Sequence, residues 1–198
     1  MAAVPSTMLP LGTRLPEFTL RNVVDGRTVA SGEFREPALL VMFICNHCPY
    51  VQHVKQEIGR VAADYAPRGL GAVAISSNDV AAFPDDAPDK MKDLALAEGW
   101  RFPYVFDETQ EVAKAFRAAC TPEFYLFDRQ RQLVYRGQLD GSRPKNEIPV
   151  SGRDLRAALD ALLSGKPVPA EQIPSVGCSI KWKSGNEPAY FAVPVRNP

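Results

Sequence analysis

The sequence predicts an α/β protein in which a mixed central β-sheet is flanked by helices on both faces. Strand-like segments alternate with segments of helical periodicity between residues 38 and 106, which is the order of parallel β-α-β units. Residues 38–44 form an apolar run without alternation, as expected for a strand buried on both faces. Two strand-like segments over residues 123–136 are separated by a short polar turn, which predicts an antiparallel hairpin. Parallel units closed by this hairpin make the expected sheet mixed.

The first elements are a hairpin, the buried strand and a long helix. Residues 15–20 and 28–29 read as two strands joined by a turn over residues 24–27. From Pro49, which suits the first turn of a helix, apolar residues recur every three or four positions. These residues form one buried helix face: Val51, Val54, Ile58, Val61 and Tyr65. The helix is expected to end near residues 67–69, and residues 70–75 predict a second buried strand.

The remaining elements are less regular. Asp107 and Gln110 have the spacing of a capping box for a helix over residues 108–118. A last helix is expected to open at Ser151 and Asp154 and to end before Gly165. The other predicted segments are a loop (76–89), a helix (90–98), a strand (103–106), the hairpin strands (123–127 and 132–136) and an irregular loop (140–150). Within them, the polar residues 79–90 are interpreted as plain surface rather than as the border of a substrate groove.

Length and composition predict a single domain. The chain has 198 residues, of which 45% are hydrophobic, so it can bury one substantial core. We expect that core over residues 15–163 and an irregular, proline-rich tail over residues 169–198, within one domain of residues 1–198. The 23 basic and 23 acidic side chains cancel and are scattered, which argues against binding to nucleic acid or to a membrane surface. No signal-like segment or membrane-spanning apolar run is visible, so a cytoplasmic location is expected.

The segment Cys45-Asn46-His47-Cys48 carries the chemistry. It follows the buried strand directly and precedes the long helix, so two thiols lie at a strand-to-helix junction. The unpaired N–H groups and partial positive charge of a helix N-terminus stabilise a thiolate and lower the pKa of a cysteine there. Two thiols separated by one turn can also close into a disulfide. The motif therefore predicts thiol–disulfide exchange.

This order of elements, with Cys-X-X-Cys before the first long helix and Thr121-Pro122 before the hairpin, resembles the thioredoxin superfamily. Within it, the chain is most similar to the redoxin branch shared by peroxiredoxins and bacterial thiol–disulfide oxidoreductases. The resemblance covers about residues 15–163, and the segments 107–110, 120–122 and 177–182 add to it. It implies a thioredoxin-like fold and no cofactor beyond a redox-active Cys45–Cys48 disulfide. It also implies a cis proline at residue 122, whose neighbouring backbone at Thr121 binds an extended substrate segment.

Position and resemblance together assign roles within the motif. Cys45 is expected to be the outer, accessible and ionised sulfur that attacks, and Cys48 the thiol that resolves the mixed disulfide. Asn46 and His47 separate the two thiols and are expected to tune them. An imidazolium at His47 would stabilise the thiolate and raise the reduction potential above the roughly −270 mV of thioredoxin. The alternative interpretation is that His47 is a solvated loop residue.

Two further cysteines, Cys120 and Cys178, have two interpretations. Each is either a small buried hydrophobe, which is common for free cysteines, or a second redox cysteine. In the second case, Cys178 would serve as a resolving partner for Cys45 from the tail. A metal site needs further ligands, and the sequence offers no second Cys-X-X-Cys or histidine pair, so no metal is expected.

Three functions remain open at this point. The leading one is a thiol–disulfide oxidoreductase that acts on protein or small-molecule thiols and disulfides, together with an unidentified reductant or oxidant. The second is a thiol-dependent peroxidase. Peroxiredoxins need a threonine three residues before the reacting cysteine, and Met42 stands there relative to Cys45. The third is a non-catalytic binding module on the same scaffold.

Overall fold

Most strands of the protein join one mixed sheet. The computed structural model describes residues 3–191. Its strands are β1 (Ala3–Pro5), β2 (Thr19–Asn22), β3 (Thr28–Ala30), β4 (Ala38–Phe43), β5 (Leu70–Ser76), β6 (Tyr104–Phe106), β7 (Cys120–Thr121), β8 (Glu123–Phe127), β9 (Leu133–Gly137) and β10 (Val176–Ser179). Seven of them form the main sheet in the order β3-β2-β6-β5-β4-β8-β9. Strands β4, β5 and β6 are parallel neighbours, whereas the other pairs of this sheet are antiparallel. The predicted mixed sheet and both hairpins are confirmed.

Helices cover both faces of this sheet. They are α1 (Pro49–Tyr65), α2 (Pro88–Ala97), α3 (Glu111–Ala115) and α4 (Arg153–Leu163). Alternate residues of β4 belong to two different apolar clusters, one with α1, α2 and α4 and the other with α3. Because every residue of β4 is buried, the sequence run without alternation is explained. None of the helices within residues 3–191 combines the length and the apolarity needed to cross a membrane.

The helix predicted over residues 108–118 is wrong in length and in its cap. Helix α3 is only five residues long, and Gln110 is its N-cap in a left-handed conformation without a side-chain cap bond. Asp107 accepts hydrogen bonds from Ser77 Oγ at 2.8 Å and from the Ala113 amide at 2.9 Å. Gln110 Nε2 donates to the carbonyl of Lys181 at 2.9 Å. The two polar side chains therefore fix neighbouring segments instead of extending the helix.

The tail contains a strand that the sequence pattern did not predict. Strand β10 lies between β1 and β7 in a small antiparallel sheet. An added Cβ at Gly177 of β10 would lie 2.0 Å from the carbonyl oxygen of Thr121, so only glycine permits this close approach. The small sheet places the tail directly against the segment that follows α3. The expected irregularity of residues 192–198 lies outside the described residues.

Candidate active site

The two cysteines of the motif lie where the central strand meets the first helix. Cys45 follows the end of β4, and Cys48 is the N-cap residue of α1. Both are free thiols that interact with each other and pack in one apolar cluster with Cys178. Cys45 is 1% exposed and Cys48 is 0% exposed. The structure therefore contradicts the expectation that Cys45 is an accessible outer sulfur.

A buried carboxylate, Asp86, closes the site. It accepts hydrogen bonds from the backbone amides of Asn46 at 2.7 Å and His47 at 3.0 Å. Its other oxygen lies 2.5 Å from His47 Nδ1 and accepts from Asn78 Nδ2 at 2.7 Å. The His47 ring also stacks on Phe83, with ring centroids 5.2 Å apart. These contacts hold residues 79–87, a segment interpreted from its polarity as plain surface, over the motif.

The electrostatics of the two thiols differ from the expectation. The pKa of Cys45 is raised because its thiol donates a hydrogen bond to Cys48, is buried and lies near the charge of Asp86. The pKa of Cys48 is lowered because it accepts hydrogen bonds from Cys178 and Cys45. The Val51 amide, in the first turn of α1, contributes in the same direction. The directions of these two shifts are opposite to the expectation that Cys45 ionises first, mainly because Cys45 donates to Cys48 and Cys178 also stabilises the Cys48 thiolate.

The intervening residues belong to the same hydrogen-bonded network. The His47 side chain is 13% exposed and is paired with Asp86, so the interpretation of His47 as a solvated loop residue is wrong. Asn46 Nδ2 donates to the carbonyl of Asp85 at 3.1 Å, and Asn46 Oδ1 accepts from the Tyr104 hydroxyl at 3.3 Å. Both side chains thus connect the motif to neighbouring segments. Their effect on the redox potential stays a prediction.

Thr121 and Pro122 face the dithiol. Their peptide bond is cis, as the resemblance implied. The Thr121 hydroxyl lies 3.4 Å from Cys45 Sγ, and the Thr121 carbonyl accepts a hydrogen bond from Cys48 Sγ at 3.2 Å. In the small sheet, Cys178 of β10 is the residue opposite Thr121. The chain's own tail therefore pairs with the edge predicted to bind substrate, and the substrate role of Thr121 and Pro122 stays a prediction.

The nearest hydrogen-bonding partners of Cys120 differ from those of the other three cysteines. Its Sγ is 3.9 Å from Glu123 Oε2 and 3.9 Å from the Ser175 carbonyl. Burial, together with the nearby Glu123, raises the pKa of Cys120 well above its ordinary value. Glu123 is itself fully buried, and this burial raises the pKa of its carboxyl group. A redox role for Cys120 stays a prediction.

Cys45, His47 and Asp86 form a group whose ligand atoms all lie within 4.8 Å of one another. Each oxygen of Asp86 is already engaged by two nitrogen partners, so the carboxylate has no free lone pair for a metal ion. The group is better described as a hydrogen-bonded network than as a metal centre. Sequence reasoning missed Asp86 because it lies 40 residues from Asn46, and no local pattern links the two.

The chain is similar to one protein family and to several solved structures. The model of the AhpC/TSA family matches residues 11–136. An uncharacterized conserved protein from Geobacillus kaustophilus is 58% identical, with a TM-score of 0.91 over 92% of this chain and 97% of that one. A hypothetical protein from Sinorhizobium meliloti is 48% identical, with a TM-score of 0.89 over 91% of this chain and 99% of that one.

A more distant structure shows the breadth of the fold. A putative thiol:disulfide interchange protein DsbE from Chlorobium tepidum is 18% identical, with a TM-score of 0.62 over 78% of this chain and 99% of that one. At this identity the likeness concerns the fold alone, and it confirms the thioredoxin-like architecture. Comparison with curated proteins gave no significant match.

Proposed function

We propose that this chain, which belongs to the AhpC/TSA family, is a thiol–disulfide oxidoreductase that works through Cys45 and Cys48. The observation that carries the proposal is a pair of interacting free thiols at a strand-to-helix junction, facing the cis Thr121-Pro122 peptide. Two thiols in contact can form a disulfide without rearrangement of the sheet. No cofactor beyond this dithiol is required.

Reaction begins with an opening of residues 79–87. In the closed form Asp86 binds the amides of Asn46 and His47, which form the anion-binding position beside Cys45. When Asp86 leaves, these N–H groups become available to the Cys45 thiolate. Departure of the carboxylate charge also removes one of the causes that raise the pKa of Cys45. Opening therefore exposes Cys45 and lowers its pKa by removing the Asp86 charge, and the proton of Cys45 passes to solvent when the thiolate forms.

The exchange then takes two steps. The Cys45 thiolate attacks one sulfur of a substrate disulfide, whose S–S bond breaks as the mixed disulfide forms and the first substrate thiolate leaves. Cys48, whose pKa is already lowered, attacks Cys45 Sγ. This second attack forms the Cys45–Cys48 disulfide and expels the second substrate thiolate. Two electrons thus pass from the protein dithiol to the substrate, and the reverse sequence oxidises a substrate dithiol.

The partners in this proposal are protein or small-molecule disulfides and an unidentified reductant or oxidant. Sparse cysteine usage favours a reducing compartment, and we therefore include a cytoplasmic location in the proposal. An assay of insulin-disulfide reduction by dithiothreitol tests the activity without knowledge of the natural partner. Loss of activity in both Cys45→Ser and Cys48→Ser is expected, with Cys120→Ser as the matched control that keeps it. Activity that survives in both variants would refute the role of this dithiol, and wild type that adds nothing to the rate with dithiothreitol alone would favour a non-catalytic binding module.

A thiol-dependent peroxidase is the second candidate, and one contact favours it. The hydroxyl that the sequence lacks three residues before Cys45 is supplied by Thr121, whose Oγ1 lies 3.4 Å from Cys45 Sγ. In that reaction the Cys45 thiolate attacks a hydroperoxide, the O–O bond breaks, an alcohol is released, and Cys45 becomes a sulfenic acid. Cys48 then attacks the sulfenic acid, which forms the Cys45–Cys48 disulfide and releases water. Hydroperoxide consumption by the same variants separates the two functions, because a peroxidase turns over peroxide faster than it reduces insulin.

A further inference from the structure

A third thiol lies against the resolving cysteine. Cys178 of β10 is directly opposite Thr121, and Cys48 Sγ donates to the carbonyl of that same Thr121. Cys48 and Cys178 are 0% and 4% exposed and pack in one apolar cluster with Cys45. Each of these two thiols is the largest cause of the shift in the other's pKa. Cys48 therefore lies between two potential disulfide partners.

The position of Cys178 is fixed on both sides. Before it, the amide of Ser6 donates to the Ser175 carbonyl at 2.8 Å, and Gly177 permits the close contact with Thr121. After it, the amide of Ile180 donates to the Ala119 carbonyl at 3.0 Å, and the amide of Lys181 donates to Asn78 Oδ1 at 2.9 Å. The strand is therefore anchored from Ser175 to Lys181. Its thiol is held beside Cys48 rather than carried on a loose tail.

We propose that Cys178 is a third redox-active cysteine, which takes over the disulfide by attacking Cys48 once the Cys45–Cys48 bond has formed. This inference rests on the proposed function and names the next step at the same site. In that step the Cys178 thiolate attacks Cys48 Sγ, the Cys48–Cys178 bond forms, the Cys45–Cys48 bond breaks and Cys45 leaves as a thiolate. The proton that Cys178 loses is taken up by Cys45. The number of disulfides is unchanged, so no external oxidant is consumed.

The electrostatics suit this order of events. In the reduced protein, the hydrogen bond to Cys48 and burial raise the pKa of Cys178, so this thiol is protonated. When Cys48 enters a disulfide it no longer accepts that hydrogen bond, and the main cause of the raised pKa disappears. The nearby Lys181 ammonium acts in the opposite direction and favours the Cys178 thiolate. Cys178 thus becomes a nucleophile after, and not before, the first disulfide forms. After this step the nucleophile Cys45 is again a thiol, and the disulfide joins Cys48 to Cys178 of β10.

The test is to map the disulfides of the full chain after treatment with diamide. Wild type, Cys45→Ser and the double variant C45S/C178A are oxidised, their free thiols are blocked with N-ethylmaleimide, and monomers are analysed by peptide mass. Wild type is expected to lose two thiols and to give both a peptide with an internal Cys45–Cys48 disulfide and a pair of peptides joined by Cys48–Cys178. Cys45→Ser is expected to give the Cys48–Cys178 peptide stoichiometrically, and the double variant none. Cys120→Ser serves as the matched control with the wild-type pattern.

The outcomes separate this inference from the proposed function. If Cys45→Ser keeps all three thiols free, or links Cys48 to Cys120 instead, Cys178 is not a redox partner, even where wild type forms Cys45–Cys48 and reduces insulin. If wild type forms no Cys45–Cys48 disulfide and reduces no insulin, the proposed function fails whatever Cys178 does. Far-UV circular dichroism of each variant before oxidation verifies the fold. Because Cys45→Ser leaves β10 unaltered, its result does not depend on how well Cys178→Ala folds.

Discussion

Replacing Asp86 by asparagine tests whether residues 79–87 control access to Cys45. Asparagine has nearly the same shape and keeps one oxygen that can accept from the amides of Asn46 and His47. The other oxygen becomes an NH₂ group that faces the donor Asn78 Nδ2, now 2.7 Å from Asp86. The change therefore weakens the closed form while leaving the rest of the site in place.

The size of the effect follows from the lost contact. A hydrogen bond to a charged group contributes about 1.5–3 kcal/mol, and the Asn78 donor would be left buried without its acceptor. All four cysteines are 4% exposed or less, so a small alkylating reagent reaches Cys45 only in an open form. Destabilising the closed form by this amount raises the open population, and hence the alkylation rate, by about 10- to 150-fold.

Pseudo-first-order alkylation by iodoacetamide, followed by peptide mass analysis of Cys45, measures that rate. Asp85→Asn is the matched control, because Asp85 is the adjacent, exposed acid and contributes its backbone carbonyl, not its side chain, to the site. The Asp86 charge also raises the pKa of Cys45, so its removal moves the pH profile of alkylation to lower pH. Easier opening, by contrast, multiplies the rate at every pH. Equal rates in wild type, Asp86→Asn and Asp85→Asn across the pH range would refute the role assigned to this loop.

Three further substitutions test the surroundings of the dithiol. Thr121→Val removes the hydroxyl that lowers the pKa of Cys45. Alkylation of Cys45 at neutral pH should therefore slow by about 2- to 12-fold, which is equivalent to about 0.5–1.5 kcal/mol. An unchanged pH profile of alkylation would contradict this role of the hydroxyl. Gly177→Ala places a Cβ 2.0 Å from the Thr121 oxygen and should lower the free energy of unfolding, measured in urea, by about 3 kcal/mol. The control Gly32→Ala has open space around its Cβ and should change this free energy by less than about 0.5 kcal/mol. Glu123→Gln should flatten the dependence of Tm on pH. Because burial raises the pKa of Glu123, the folded wild type retains a proton that the unfolded chain loses near pH 4.3. The stability of wild type therefore falls as the pH rises from there through the raised pKa. If the Tm of the variant had the same pH slope as that of wild type, Glu123 would not be the cause of the slope.

Local patterns predicted the elements whose causes are local. Helix α1 begins at Pro49 and ends at Tyr65, as the spacing of apolar residues indicated, because one stripe of this helix faces the sheet. Strand β4 was predictable because burial on both faces removes polar residues altogether. The capping box at Asp107 failed for the opposite reason. Its side chains bind partners up to 76 positions away, and no local spacing encodes such contacts.

Strand β10 and Asp86 share this long-range origin. The four residues of β10 include a glycine, which is depleted in strands, and the strand is held because β1 and β7 pair with it from both sides. Asp86 follows an exposed aspartate in a polar loop and differs from it only in its buried contacts with the motif. Composition alone cannot distinguish two adjacent aspartates of which one is buried and one is solvated.

The place of each cysteine relative to the helix was within reach of the sequence, but the order of ionisation was not. Proline is favoured at the first helical position, so Pro49 marks Cys48 as the N-cap residue and places Cys45 before the helix. Cys48 is therefore the sulfur nearest the amides of the first turn, but its pKa is lowered mainly by Cys178 and Cys45, and the Val51 amide adds the smallest contribution. The sequence also contained no indication that the Asp86 carboxylate accepts hydrogen bonds from the amides of Asn46 and His47, which form the anion-binding position nearest Cys45. A buried carboxylate and a thiolate cannot share two N–H groups, so the proposed attack by Cys45 requires Asp86 to leave, and in this proposal one side chain controls both access to Cys45 and its reactivity.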